Sequence, residues 1–357
     1  MDKYQKFNLS LKDDFSEILN NTKYLWKNLK NNNIFFTGCT GFFGYWILKT
    51  FTTANKKFKL NSKGYVLTRE KKFKKSKIYK LCNDKSLFFC YGDIRNFKFP
   101  KKKFRYIIHG ATTSAQETFK KQDPSEKANI IIDGTKNIIR FAKKSSCKKI
   151  LYLSSGAVYG NQSVKIKKIN ETSSSAPITS DRNYDLNVLG TAKRAAELYL
   201  FLNSQKKYFE ASVARCFSFI GPLIPLNVHY AIGNFLRNSI NNETIKIKGD
   251  GKAIRSYMYV TDLAIWLYHI LFKGKDSQIY NVGSEEKVSI LELAKMIKKI
   301  SKNQKKIIIK KSKHSSNKSL YVPSTKKIRD ELKVKQKVYL KSAIKKTFDS
   351  IVSLKFV

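Results

Sequence analysis

Acidic residues are scarce in this 357-residue chain: 26 Asp and Glu stand against 71 Lys and Arg, a formal net charge of +45. Such an excess draws in anions, whether nucleotides, nucleic acid or acidic membrane surfaces. It also describes a plain, solvated, lysine-coated surface. The sequence carries no recognised nucleic-acid module, which argues against a nucleic-acid partner. Cysteine is sparse too. Cys39, Cys82, Cys90, Cys147 and Cys216 make an odd set with no CxxC spacing. That excludes the common thiolate metal frames, sets aside a disulfide framework, and leads us to expect reduced thiols in the cytoplasm. Long apolar runs are missing as well. The longest, Leu263 to Phe272, sits between Asp262 and Lys273 and is too short to cross a bilayer. The first residues lack the apolar stretch of a signal peptide, so an integral membrane contact is not expected. No internal repeat is visible.

What the chain does contain is a regular alternation. Short apolar runs at Ile34–Thr37, Gly64–Thr68, Leu87–Cys90, Tyr106–His109, Ile150–Leu153 and Ala211–Arg215 read as strands. Amphipathic stretches near 43–53, 125–145 and 187–202 read as helices. Near-continuous apolar strands alternating with helices predict an α/β fold: a doubly wound parallel sheet of the Rossmann type. After Gly221-Pro222 the pattern loosens into helices near 230–241, 261–273 and 288–301. This predicts a smaller C-terminal α/β lobe. The expected organisation is a helical extension over 1–32, a dinucleotide-binding domain over 33–217, and a mainly substrate-binding lobe over 218–357, with some segments returning to the sheet. The lysine- and serine-rich stretch 305–318 is expected to be exposed.

The strongest local signal is Thr37-Gly38-Cys39-Thr40-Gly41-Phe42-Phe43-Gly44, which follows a strand and opens a helix. In such a loop the first glycine allows a tight turn. The second lets the backbone approach a pyrophosphate, and the third allows close packing of helix on strand. The helix N-terminus then offers free N–H groups to the phosphates. Thr37, Gly38, Thr40, Gly41, Phe42, Phe43 and Gly44 are therefore candidate dinucleotide contacts. Asp93, with Ile94, follows the third strand and is a candidate acceptor for the adenine amino group. The second strand ends in Thr68-Arg69 rather than in an acid. An acid would hold the ribose hydroxyls of NAD, whereas Arg69 can pair with the 2′-phosphate of NADP. The cofactor expected is thus NAD or NADP, with a lean to NADP.

These residues, with Gly92-Asp93-Ile94-Arg95, His109-Gly110-Ala111, Ser154-Ser155-Gly156-Ala157-Val158-Tyr159-Gly160, Arg255-Ser256-Tyr257 and Tyr280-Asn281-Val282-Gly283, resemble the extended short-chain dehydrogenase family. Its members include the NAD-dependent sugar-nucleotide epimerases and dehydratases. The resemblance runs from about Ile34 to Val282. It implies a nucleoside-diphosphate sugar as substrate, often for cell-surface polysaccharide, and a homodimer joined through the helix near 187–202. It places Ala111 against the cofactor and gives Ser155 and Lys193 catalytic roles, with Lys193 also binding the nicotinamide ribose. In that family a tyrosine one helical turn before the lysine removes the sugar hydroxyl proton. Here that position is Leu189, which carries no proton. Three readings stay open: Tyr184 reaches the site through an irregular turn; Ser155, Lys193 and water act alone; or the protein binds its ligands as a regulator or scaffold without turnover. Tyr159 is read as structural. The resemblance also assigns Arg255 to the diphosphate and offers Asn234 for the diphosphate or the base; His229 is read either as a sugar-pocket residue or, more in keeping with a lone histidine, as an ordinary satisfied polar residue. Gly156-Ala157 stand where 4,6-dehydratases carry their acidic pair, so dehydration is not expected, while epimerase, 4-keto reductase or decarboxylase chemistry stays open, with epimerase or 4-keto reductase preferred.

Overall fold

A computed structural model describes residues 2–69, 71–112, 123–163, 165–178, 184–227, 230–310 and 319–353. Seven parallel strands form the central sheet. Six are β1 (Asn33–Thr37), β2 (Lys63–Thr68), β3 (Leu87–Tyr91), β4 (Tyr106–His109), β5 (Lys149–Ser155) and β6 (Glu210–Cys216). The order runs β3-β2-β1-β4-β5-β6, and the Gln278–Val282 strand then pairs with β6. The chain reverses its direction of winding between β1 and β4. At such a switch point the loops at the carboxyl ends diverge and leave a crevice.

The central strands are apolar throughout because both faces are covered. Along β1, Ile34 and Phe36 enter one core and Phe35 the other. Along β5, Leu151 and Leu153 face the first core and Ile150 and Tyr152 the second. This is the two-residue period of a strand written into two separate cores. The second core lies under the Pro124–Lys144 and Tyr184–Gln205 helices, which pack against each other. The first lies under the Phe42–Lys57 and Val260–Lys273 helices.

The N-terminal residues are part of that first core. Phe7, Leu11, Phe15, Ile18, Leu25, Trp26 and Leu29 are all buried in it. The ring of Phe15 stacks on Trp46 at 5.2 Å, and the Tyr259 hydroxyl donates to the buried Asp14 carboxylate at 2.6 Å. The single amphipathic helix expected here is in fact two, Lys3–Ser10 and Lys12–Thr22, followed by a 3-10 turn.

Beyond β6 the chain builds three small sheets. One of them places Ile254–Arg255 between Val288–Ser289 and Leu320–Tyr321. In another, Ile307–Lys310 runs parallel to Ile245–Lys248. Part of the stretch expected to be merely exposed is therefore an outer strand, with Ile308 and Ile309 facing solvent; residues 311–318 lie outside the described ones. The five cysteines are free thiols. Among the described residues, no three metal-binding side chains cluster, and no helix is long and apolar enough to cross a membrane.

Candidate functional site

The glycine loop connects the end of β1 to the Phe42–Lys57 helix, and its three glycines answer to different constraints. Gly38 has φ +71°, and a Cβ there would lie 2.2 Å from the Gly110 carbonyl carbon. It is needed for the turn and also for the close approach of the β4 loop. A Cβ on Gly44 would sit 2.1 Å from the Cys39 carbonyl, so this glycine lets the helix start against its own loop. A Cβ on Gly41 would meet nothing within 4 Å. Gly41 is the helix N-cap, and no side chain caps the helix from there. An uncapped helix start beside open space is a cradle of backbone N–H groups and a positive dipole end. The residues present thus fit a dinucleotide diphosphate.

The residues around the loop divide into those that face the crevice and those that do not. Gly38 and Gly41 are exposed, and Thr40, Phe42, Phe43 and Ala111 are half-buried at the same edge. The Phe43 ring meets Phe219 edge-on at 4.9 Å. Thr37 turns inward. It is fully buried and bonds the Nδ1 of His109 at 2.7 Å, and His109 Nε2 in turn bonds the Thr135 hydroxyl at 3.0 Å. Burial, with the nearby Lys193 charge, lowers the His109 pKa to about 3. The Thr37 side chain is therefore a tie between β1 and β4.

Ile94 also points inward. Its side chain fills the space left by Gly134, and its carbonyl accepts from Asn137 at 2.9 Å. Asp93 is engaged by its neighbour: Arg95 grips both carboxylate oxygens at 2.9 Å and reaches on to Glu126. The Arg95 hydrogen bond is the main reason the Asp93 carboxyl lies below its ordinary range, and Arg69 adds to it. Arg69 is exposed at the end of β2.

The second cluster gathers at the end of β5. Ser155 is the last residue of that strand, and its hydroxyl accepts from the Ala157 N–H at 3.1 Å. Lys193 comes from the Tyr184–Gln205 helix. It is 3% exposed and donates to the Leu153 carbonyl at 2.8 Å. Burial lowers its pKa to about 8, against opposing pulls from Cys216 and Glu197. Behind it, Glu197 holds Arg215 in a buried ion pair at 2.6 Å.

Arg255 approaches from the C-terminal strands. Its guanidinium donates to the Ile254 carbonyl at 2.8 Å and to the Ser319 carbonyl at 3.1 Å. Among the described residues it has no acidic partner. Burial lowers its pKa, and the nearby Tyr257 and Tyr321 oppose that. A half-buried guanidinium held only by neutral acceptors is prepared for an anion.

A sequence model of the NAD dependent epimerase/dehydratase family matches residues 34–283. The chain belongs to this family. It is 31% identical over 259 residues to a dTDP-D-glucose 4,6-dehydratase of Dictyostelium discoideum, covering 65% of this chain and 57% of that protein. It is 25% identical over 193 residues to UDP-glucuronic acid decarboxylase 3 of Arabidopsis thaliana, covering 54% of each. The chain thus spans a little over half the length of these curated relatives. Its fold is shared with a UDP-N-acetylglucosamine 4-epimerase of Methanobrevibacter ruminantium, with a TM-score of 0.77 and 20% identity over 91% of this chain and 99% of that one. It is shared equally with a UDP-glucose 4-epimerase of Thermotoga maritima, with a TM-score of 0.74 and 22% identity over 90% and 99%.

In this member of the epimerase/dehydratase family Lys193 donates to the strand that ends in Ser155, and Arg255 lies in register with Tyr321, whose hydroxyl stands over Gly156. Leu189 packs against the second core one turn before Lys193. The Tyr159 hydroxyl is committed to Asn281 at 2.8 Å, which makes it structural. The route through Tyr184 needs an irregular turn that is absent. The helix starts at Tyr184 and runs unbroken to Gln205, so Tyr184 and Leu189 stand about 140° apart around its axis; the Tyr184 side chain lies outside the described residues, as does His229. Asn234 is half-buried in the first turn of the Ala231–Ile240 helix.

Sequence reasoning missed three participants. Arg95 stands inside a quoted motif and was legible as a partner for Asp93. His109 was visible as the last residue of an apolar strand. Tyr321, whose hydroxyl sits over Gly156, had no signal: it occupies a two-residue strand more than 160 positions further along.

Proposed function

We propose that this protein is a nicotinamide-dinucleotide-dependent enzyme acting on a nucleoside-diphosphate sugar, an epimerase or 4-keto reductase working by hydride transfer at a sugar carbon. One observation carries the reading: the uncapped helix start at Gly41 shares the carboxyl edge of the sheet with Ser155 and Lys193. The bound dinucleotide supplies the hydride acceptor or donor. The chain's own residues do the rest. The Gly41 loop holds the diphosphate by backbone amides. Ser155 offers a hydroxyl to the reacting sugar oxygen. Lys193, with a pKa brought near neutrality, exchanges protons close to working pH. Arg255 faces the sugar-nucleotide diphosphate.

Gly156 and Ala157 bring no carboxylate to this corner, which speaks against elimination of water. Arg69 supports NADP over NAD, since its guanidinium suits a 2′-phosphate. The scaffold reading rests on Leu189 alone, and the relatives named above are enzymes by name. Exposed Leu198 and Leu202 on the Tyr184–Gln205 helix support a homodimer formed there, to be checked by sedimentation.

Calorimetry with NAD, NADP and UDP-glucose tests the binding. Single-turnover absorbance of the nicotinamide over a panel of UDP- and dTDP-sugars tests the chemistry. Binding of a dinucleotide and hydride transfer with at least one sugar nucleotide are expected. Absence of dinucleotide binding would sink the reading.

A further inference from the structure

We propose that Tyr321 supplies the phenolic hydroxyl of the reacting end of the site, donating a proton to the sugar oxygen as the adjoining carbon accepts hydride. The inference rests on the functional reading above and names the residue that takes over where Leu189 has none to offer.

Three observations place it. First, a Cβ on Gly156 would meet the Tyr321 hydroxyl at 2.5 Å and the Phe217 ring at 2.9 Å. The hydroxyl therefore lies over Gly156, the residue next to Ser155. The lack of a side chain at position 156 is what admits it. Second, the Leu320–Tyr321 strand runs parallel to Ile254–Arg255, so that Tyr321 and Arg255 are partners in register. The phenol thus reaches from the strand that flanks Arg255 to the end of β5. Third, the ring is held firmly. It packs on Phe217 at 4.7 Å, and the next residue, Val322, donates its N–H to Gln162 at 3.0 Å. The other tyrosine of this corner, Tyr159, is already bonded to Asn281.

The protonation state gives the direction of the chemistry. Burial raises the Tyr321 pKa well above the ordinary tyrosine value; Cys216 and Tyr230 push the same way, against Ser155 and Arg255. A phenol that stays protonated at neutral pH is an acid rather than a base. The step it serves is reduction of a keto sugar. Hydride from the reduced nicotinamide adds to the carbonyl carbon. The π pair of the C=O moves to oxygen, the Tyr321 O–H bond breaks, and its proton completes the new hydroxyl. The phenolate left beside Arg255 regains a proton from solvent.

The test compares wild type with Tyr321→Phe. With a UDP-4-keto-hexose and reduced cofactor, Tyr321→Phe is expected to lower the single-turnover rate by roughly 10²- to 10⁴-fold. A readout independent of turnover is the calorimetric affinity for UDP-glucose, which should change by less than about threefold, since only binding shared by ground and transition states is read there. An undiminished rate in Tyr321→Phe, with wild type active, overturns this inference alone. So does a UDP-glucose affinity that falls as far as the rate, which would make Tyr321 a structural residue. A wild type that binds neither dinucleotide nor UDP-glucose overturns the functional reading and this inference with it.

Discussion

The glycine loop and the corner at the end of β5 are built on opposite plans. At the loop, the proposed dinucleotide site rests on what eight consecutive residues leave out: no Cβ at Gly38 or Gly44, where backbone would be struck, and none at Gly41, where the space is open. At the corner, the proposed reacting site rests on what is brought in: Ser155 from β5, Lys193 from a helix, Arg255 and Tyr321 from the C-terminal strands. A site made by subtraction sits in one stretch of chain. A site made by assembly requires the whole fold. The difference teaches that the first can be judged from local geometry, whereas the second depends on packing many residues away.

The sharpest way to break the comparison is within the loop. Gly44→Ala puts a methyl into the Cys39 carbonyl, and both sides of that contact are backbone. A loss of several kcal/mol, or failure to fold, is expected, read by chemical denaturation. Next in size is Gly41→Glu. A Cβ there meets no protein atom within 4 Å, so the thermal midpoint should hold while dinucleotide affinity falls by roughly 100-fold or more, a difference of about 2.7 kcal/mol. If both variants behave alike, the three glycines do not have separate duties. Arg255→Gln probes the assembled corner. With no acidic partner to strand, it should fold normally and weaken UDP-glucose binding about tenfold, without touching dinucleotide affinity, as charge-assisted contacts to phosphate are lost. Unchanged UDP-glucose affinity would remove Arg255 from the site.

The smallest effect concerns the tie between β1 and β4 beneath the loop. His109 has a folded pKa near 3 against 6.5 in an ordinary setting. The unfolded chain therefore binds the extra proton first as pH falls. Stability supplied by neutral His109 is present above the ordinary value and is lost progressively below it. Between about pH 7 and pH 5.5 this amounts to about 1 kcal/mol. A His109→Gln variant should show a correspondingly flatter dependence in denaturation at the two pH values. An identical slope in both proteins would mean that His109 is not the titrating group.

Much of the sheet was legible because its strands are buried on both sides. Ile34–Thr37 and Tyr106–His109 are uninterrupted apolar runs, and their ends fall within a residue of the observed strands. The loop was legible for a related reason: glycine spacing reports backbone constraints directly. The inward turn of Thr37 was not, since a threonine at a strand end looks the same whether its hydroxyl faces a crevice or a histidine on the next strand. Residues 1–32 look polar on average, yet Phe7, Phe15 and Trp26 are core residues. A few aromatics suffice to carry a segment inside when a complementary surface awaits them.

The sequence by itself determined the alternation of strand and helix, the three glycines and the vacancy of a hydroxyl at Leu189, because each is a property of residues close together in the chain. Only the tertiary structure decided that Thr37 serves His109 and that Tyr321 comes to lie over Gly156. Those pairings follow from how layers stack and strands align. Side chains meet across the fold by packing, and no local pattern of residues records whom they will meet.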